Sequence, residues 1–202
     1  MKTLKTILLI AISIIAININ AQEKKTTFGL KVGLNVSNFG STDDKEFTDI
    51  KSKTGFHAGF TLDHAITDKW YLLTGLEYTV KGTKIDPGAI YNDVNVTAAY
   101  IQLPLSAGFK IRPTDQIAIL FNLGPYFAYG LHGKIDGGGK KADTFSDSFA
   151  KNFDCGITLG AALEWQKLCL KLGGDAGLVN IMQKGYTKAH MNNFALSLGY
   201  KF

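Results

Sequence analysis

The chain ends on Asn193-Phe194-Ala195-Leu196-Ser197-Leu198-Gly199-Tyr200-Lys201-Phe202. Phe194, Leu196, Leu198, Tyr200 and Phe202 take every second place, and Asn193, Ala195, Ser197, Gly199 and Lys201 take the others. A period of two puts the two sets on opposite faces of a β-strand. One face is wholly apolar, the other is small or polar, and the apolar phase runs unbroken to the last residue. How often this pattern recurs upstream decides what the strand packs against.

It recurs seven times. The alternation predicts strands over 28–39, 53–66, 70–81, 94–111, 116–130, 151–165 and 168–179. The connections alternate in length. Thr67-Asp68-Lys69, Arg112-Pro113-Thr114-Asp115 and Gln166-Lys167 are tight, whereas 40–52, 82–93, 131–150 and 180–190 are long and polar. An even strand number, short turns at one end and long loops at the other describe an outer-membrane barrel. The predicted fold is all-β: an eight-stranded antiparallel up-and-down transmembrane β-barrel over 22–202. The final strand looks like the closing strand of such barrels, whose terminal Phe serves as the assembly signal. That likeness implies barrel-assembly machinery as a partner. Trp70, Phe109, Trp165 and Phe202 lie on the apolar phase beside short turns, as an aromatic girdle at the membrane interface would.

A soluble barrel or sandwich would read the same alternation inside out. Two features favour lipid outside. The polar phase is rich in Gly and small residues, which suit a crowded lumen, and the apolar phase is nearly free of charge.

The first 21 residues form a separate unit. Lys2 and Lys5 make a basic start, Ile7 to Ile17 is an apolar run, and Ala21 offers a small residue for cleavage. This is the pattern of a secretory signal peptide over 1–21. The remainder carries 20 Lys+Arg against 17 Asp+Glu, a net of +3, with no basic cluster, so nothing points to nucleic acid. The expected location is the outer membrane, as a monomer in contact with outer-membrane lipid. Cys155 and Cys169 fall on opposite phases of adjacent strands, so no disulfide is expected between them.

The polar phase defines the lumen. It holds Lys31, His57, Asp63, Glu77, Lys81, Lys110, Asp154, Glu164, Lys171, Asp175 and Lys201. An eight-stranded interior is just wide enough for side chains to fill. Buried charge without a partner is strongly unfavourable, so these groups are expected to pair and plug the barrel.

Two prolines interrupt predicted strands, Pro104 and Pro125, and each is expected to mark a bulge or local break. Their surroundings, Tyr100-Ile101-Gln102-Leu103-Pro104-Leu105 and Gly124-Pro125-Tyr126, together with Gly29 to Asn35 and the terminal Phe, resemble the PorT-like barrel proteins of Bacteroidota. The resemblance covers the layout of the whole mature chain. It implies an outer-membrane barrel of about eight strands and leaves a role in type IX secretion open.

Catalytic and metal signals are weak. His57, His64, His132 and His190 are not spaced as ligands, and no Cys joins them. His132 and His190 are expected in loops. No nucleophile elbow is present, and Gly137-Gly138-Gly139 lacks the Lys and Ser/Thr of a phosphate-cradling loop. Asp43, Asp44, Glu46 and Asp49 read as a solvated acidic loop rather than a Ca²⁺ loop. No cofactor and no metal are expected. The reading is a non-enzymatic barrel whose long loops bind another protein or a surface glycan. The alternatives are a lipid-modifying enzyme, with Ser197 and His190 as the nearest candidates, and a small pore.

Overall fold

The computed structural model describes residues 25–41, 49–86, 94–137, 140–145, 149–183 and 188–202. The signal-peptide reading and the acidic residues Asp43, Asp44 and Glu46 fall outside them. The described residues form nine strands and no helix: β1 (Thr26–Ser41), β2 (Asp49–Ala65), β3 (Trp70–Asp86), β4 (Val94–Ile111), β5 (Ile117–Gly137), β6 (Lys140–Ala142), β7 (Phe153–Trp165), β8 (Leu168–Gly177) and β9 (Ala189–Lys201). All pairings are antiparallel. The order β4-β3-β2-β1-β9-β8-β7-β5 is closed by β4 pairing with β5, and β6 adds a short strand to the far end of β5. The result is the expected closed barrel of eight strands. Closure leaves no edge, so the ladder satisfies backbone donors and acceptors around the wall.

The period-two phase fixes which way each side chain points. On β1, Leu34 is 63% exposed while Asn35 is 1% exposed. On β2, Phe60 is 64% exposed and His57 is 2% exposed. The terminal strand turns Phe194, Leu196, Leu198, Tyr200 and Phe202 outward, and the chain is tied off by the Phe202 N–H donating to the Phe28 carbonyl at 2.9 Å. An apolar belt this continuous would be an aggregation surface in water. Against hydrocarbon it is the matching solvent-facing surface of a barrel.

The short connections are as expected. Trp165 pairs with Leu168 around Gln166-Lys167, and Gln166 has φ 53°, the left-handed conformation that two-residue hairpins need. The Thr67 hydroxyl accepts from the Trp70 N–H at 3.0 Å, and the Thr114 hydroxyl accepts from the Ile117 N–H at 3.1 Å. Arg112 donates to the Asp68 carbonyl at 2.7 Å and to the Tyr71 hydroxyl, joining two neighbouring turns.

Three of the four long connections are shorter than the periodicity predicts, and the fourth, between β8 and β9, is not. β3 runs on to Asp86, β5 to Gly137, and β2 begins at Asp49. Past the apolar belt the outer face no longer needs to be greasy, so the hydrophobic period fades while the ladder continues. His132 therefore lies in β5 and His190 in β9, not in loops.

The prolines are accommodated by a break without a bulge. On the β5 side, pairing skips Leu105 and Ser106, yet Pro104↔Tyr126 and Ala107↔Leu123 keep one offset. The Thr74 hydroxyl donates to the Pro104 carbonyl at 2.8 Å. The register shifts lie elsewhere, at Ala99/Tyr100 against β5 and between Ser52 and His57 against β3. In the second, a Cβ on Gly55 would sit 1.9 Å from the Val80 carbonyl oxygen, so only glycine fits the close approach. Cys155 faces outward, Cys169 faces inward, and both are free.

Candidate functional site

The interior is built in levels. Nearest the short turns, Lys201 on β9 pairs with Asp63 on β2 and with Glu164 on β7. Lys110 on β4 pairs with Glu164 at 2.8 Å, and its ammonium lies 4.3 Å from the centre of the Tyr71 ring. Four strands thus meet across the lumen at one charge cluster. In the middle, Lys31 pairs with Glu77. His57 Nε2 lies 2.8 Å from the Ser197 hydroxyl, and Gly33 leaves the room: a Cβ there would be 2.6 Å from the imidazole ring. Higher still, Lys81 donates to Asp175 at 3.0 Å and to Gln102 at 2.8 Å. Gln102 and Asn193 donate to the same Asp175 oxygen at 3.1 and 3.3 Å. Tyr126 donates to Asp154 at 3.1 Å.

Above these polar levels the lumen turns apolar. Phe39, Val96, Tyr100, Ile181, Met182 and Met191 form a buried cluster, with Phe145 and Phe149 packed against it. Ile181 and Met182 come from the connection between β8 and β9, and Met182 bridges to Ala150. Of the described residues of the connections at this end, Phe145, Phe149, Ile181 and Met182 pack into the mouth. Among the charged levels, two small cavities of about 70 and about 50 Å³ share Lys31, Pro104, Lys171 and Ser197 among their walls.

Every lysine, acid and histidine assigned to the lumen from the sequence points inward, but pairing is incomplete. Among the described residues Lys171 makes no ion pair, and no cation pairs with Asp154, whose Oδ1 is buried without a hydrogen bond. Their levels explain this. Lys171 stands opposite Ala162 and Asp154 opposite Ala128, eight residues apart along β7, or about 26 Å of strand. Sequence reading also missed the apolar plug. Its one legible signal was the apolar pair Ile181-Met182 inside an otherwise polar connection.

Trp70, Phe109, Trp165 and Phe202 lie on the outward face at the short-turn end. Trp70 and Phe109 are direct cross-strand neighbours with ring centres 5.1 Å apart. A closed eight-stranded wall, oily outside and charged inside, narrows the possible families to membrane barrels. Residues 20–183 match the family model described as an outer membrane protein beta-barrel domain.

The chain belongs to this outer-membrane β-barrel family. Its fold is similar to that of OprG from Pseudomonas aeruginosa, at 12% identity and a TM-score of 0.51, covering 87% of this chain and 95% of that one. Neisserial surface protein A also matches, at 14% identity and 0.49, covering 87% and 97%. The attachment invasion locus protein Ail of Yersinia pestis matches at 12% and 0.45, covering 88% and 99%. No curated protein sequence matches significantly. These likenesses concern the fold alone.

In an outer-membrane barrel the short turns face the periplasm and the long connections face outward. The Lys201–Glu164 cluster is thus periplasmic and the apolar plug extracellular. The Ser197–His57 pair is the nearest thing to a nucleophile with a base, and Ser197 pairs with His57 rather than His190. Its geometry lacks the third member: His57 Nδ1 is buried with no hydrogen-bond partner to orient the ring. The pair also lies within the wall, away from any lipid substrate. Among the described residues no three His, Cys, Asp or Glu side chains come together as metal ligands.

Proposed function

We propose that this outer-membrane barrel is a non-enzymatic scaffold that holds its long connections at the cell surface, where they bind another protein or a surface glycan. The closed lumen carries this reading: charges joined across it below and apolar side chains packed above. With the interior filled, the outer connections are the surface left for function. Residues 1–21 act as a cleaved signal peptide, the C-terminal strand engages the barrel-assembly machinery, and the folded chain is a monomer. Trp70, Phe109, Trp165 and Phe202 anchor the periplasmic interface, supported by their outward placement beside the short turns. The PorT-like motifs around Pro104 and Pro125 favour a part in type IX secretion, readable as altered maturation of exported proteases in a strain lacking the chain.

Photo-crosslinking in intact cells tests the scaffold reading. A crosslinker at the exposed Lys141 or Asp143 should give discrete protein or glycan adducts, and one at the outward-facing Leu159 should give none. Equal labelling at all three sites, or none at the outer two, would remove the proposal. Recordings in planar bilayers should show no conductance steps; regular steps would favour a pore.

A further inference from the structure

The outward face changes character just beyond the apolar belt, and one cluster there has no role in lumen or plug. Tyr78 and His132, joined at 3.1 Å, mark the upper limit of the outward aromatic residues among the described residues. Two residues further along β5 is Lys134, directly opposite Thr97 on β4, which in turn stands opposite Gly82 on β3. Lys53 on β2 reaches across Gly82 and donates to the Thr97 hydroxyl. One row higher, Lys84 on β3 stands opposite Lys51 on β2 and Asn95 on β4. Asn95 faces Asp136, which stands opposite Lys141 on β6 and is the one described acid at the edge of this patch. Lys53, Lys84 and Lys134 are left around Thr97 on one outward patch. Lys84 and Lys134 are exposed and make no hydrogen bond or ion pair among the described residues.

Three ammonium groups on an outward face repel one another unless an anion sits among them. Their height selects the anion. Lys134 lies two strand residues, about 7 Å, above His132, which is where headgroups begin above a hydrocarbon belt. Lysines at this depth run their stems along apolar surface and present the charge at headgroup level. Ammonium groups bind phosphate as point charges, so no forked geometry is required of them.

We propose that Lys53, Lys84 and Lys134 form a binding site on the outer rim for the phosphate-bearing headgroup of an outer-leaflet glycolipid, whose acyl chains lie on the apolar belt below. Phosphate and chain are both needed: the lysines supply the first contact, and the exposed side chains of β3 to β5 supply the second.

Native mass spectrometry of the intact barrel, released from detergent micelles, reads this directly. The probes are bisphosphorylated lipid A, the same lipid with its phosphates removed, and inorganic phosphate. The wild type should retain the bisphosphorylated lipid about tenfold more than the dephosphorylated one, and should hold no inorganic phosphate. Lys84→Gln/Lys134→Gln should lose that preference, and Lys84→Arg/Lys134→Arg should keep it. Mobility before and after boiling confirms that each variant is folded; both side chains are exposed and partnerless, so the fold does not depend on them. Equal retention of the two lipids by the wild type would overturn the proposal. So would undiminished retention by the Gln variant, or binding of inorganic phosphate alone.

Discussion

Glu164 stands between two ammonium groups, Lys110 and Lys201, inside a wall that lets little water reach them. Removing its charge while keeping its shape leaves Lys110 without an ion pair and Lys201 with Asp63 alone. Glu164→Gln should therefore lower unfolding stability by about 3–5 kcal/mol, read as a fall in the urea midpoint of the boiled-versus-unboiled mobility shift. Lys171 is the opposite case. It carries a half-buried charge with no ion pair, so Lys171→Met should raise the same midpoint, by about 1 kcal/mol. The contrast marks what was legible in the sequence. Parity along each strand showed that both residues face inward. It could not show which charge meets which, because Lys201 reaches Asp63 across β1 and Glu164 across β8. Those meetings depend on the curvature and closure of the wall, which no single strand encodes. Asp154 and Lys171 lacked pairs for the same reason: they share a face but not a level.

At the scale of elements, the turns were readable and the outer ends were not. Gln166-Lys167 could only be a two-residue hairpin, and the structure places Gln166 at φ 53°. A side chain there carries a cost that glycine avoids. Gln166→Gly should stabilise the barrel by about 1 kcal/mol in the same unfolding assay, with no change in its mobility before boiling. The extension of β3 to Asp86 and β5 to Gly137 escaped the periodicity because hydrophobic alternation reports lipid contact, and these segments have passed beyond it. The plug escaped because Ile181, Met182 and Phe145 come from connections without a period. Ile181 is 1% exposed. Ile181→Ala should cost about 2–4 kcal/mol through the cavity it leaves. Conductance in planar bilayers should nevertheless stay absent, since the charged levels beneath are untouched. Steady current through Ile181→Ala would mean that the plug alone closes the lumen.

For the whole molecule, the two faces of one alternation decide the environment. Apolar residues from Leu30 on β1 to Tyr200 on β9 are exposed, while Asp63, Glu77, Lys81, Lys110, Asp154 and Glu164 on the opposite phase are buried. In water this arrangement would be inverted; in a bilayer it is the low-energy one, because the apolar phase meets lipid while the backbone ladder and the lumen pairs are enclosed by the wall. That orientation is the claim on which lumen, plug, girdle and rim all depend. Trp70 and Trp165 are the only tryptophans of the chain, and both lie outward, at 51% and 56% exposure. The direct measurement is tryptophan emission from the barrel in vesicles whose acyl chains carry bromine close to the headgroups. The account predicts strong quenching by the brominated chains and little by iodide in the aqueous phase. Emission untouched by the bromine, from a chain that stays a compact monomer in plain buffer, would contradict it.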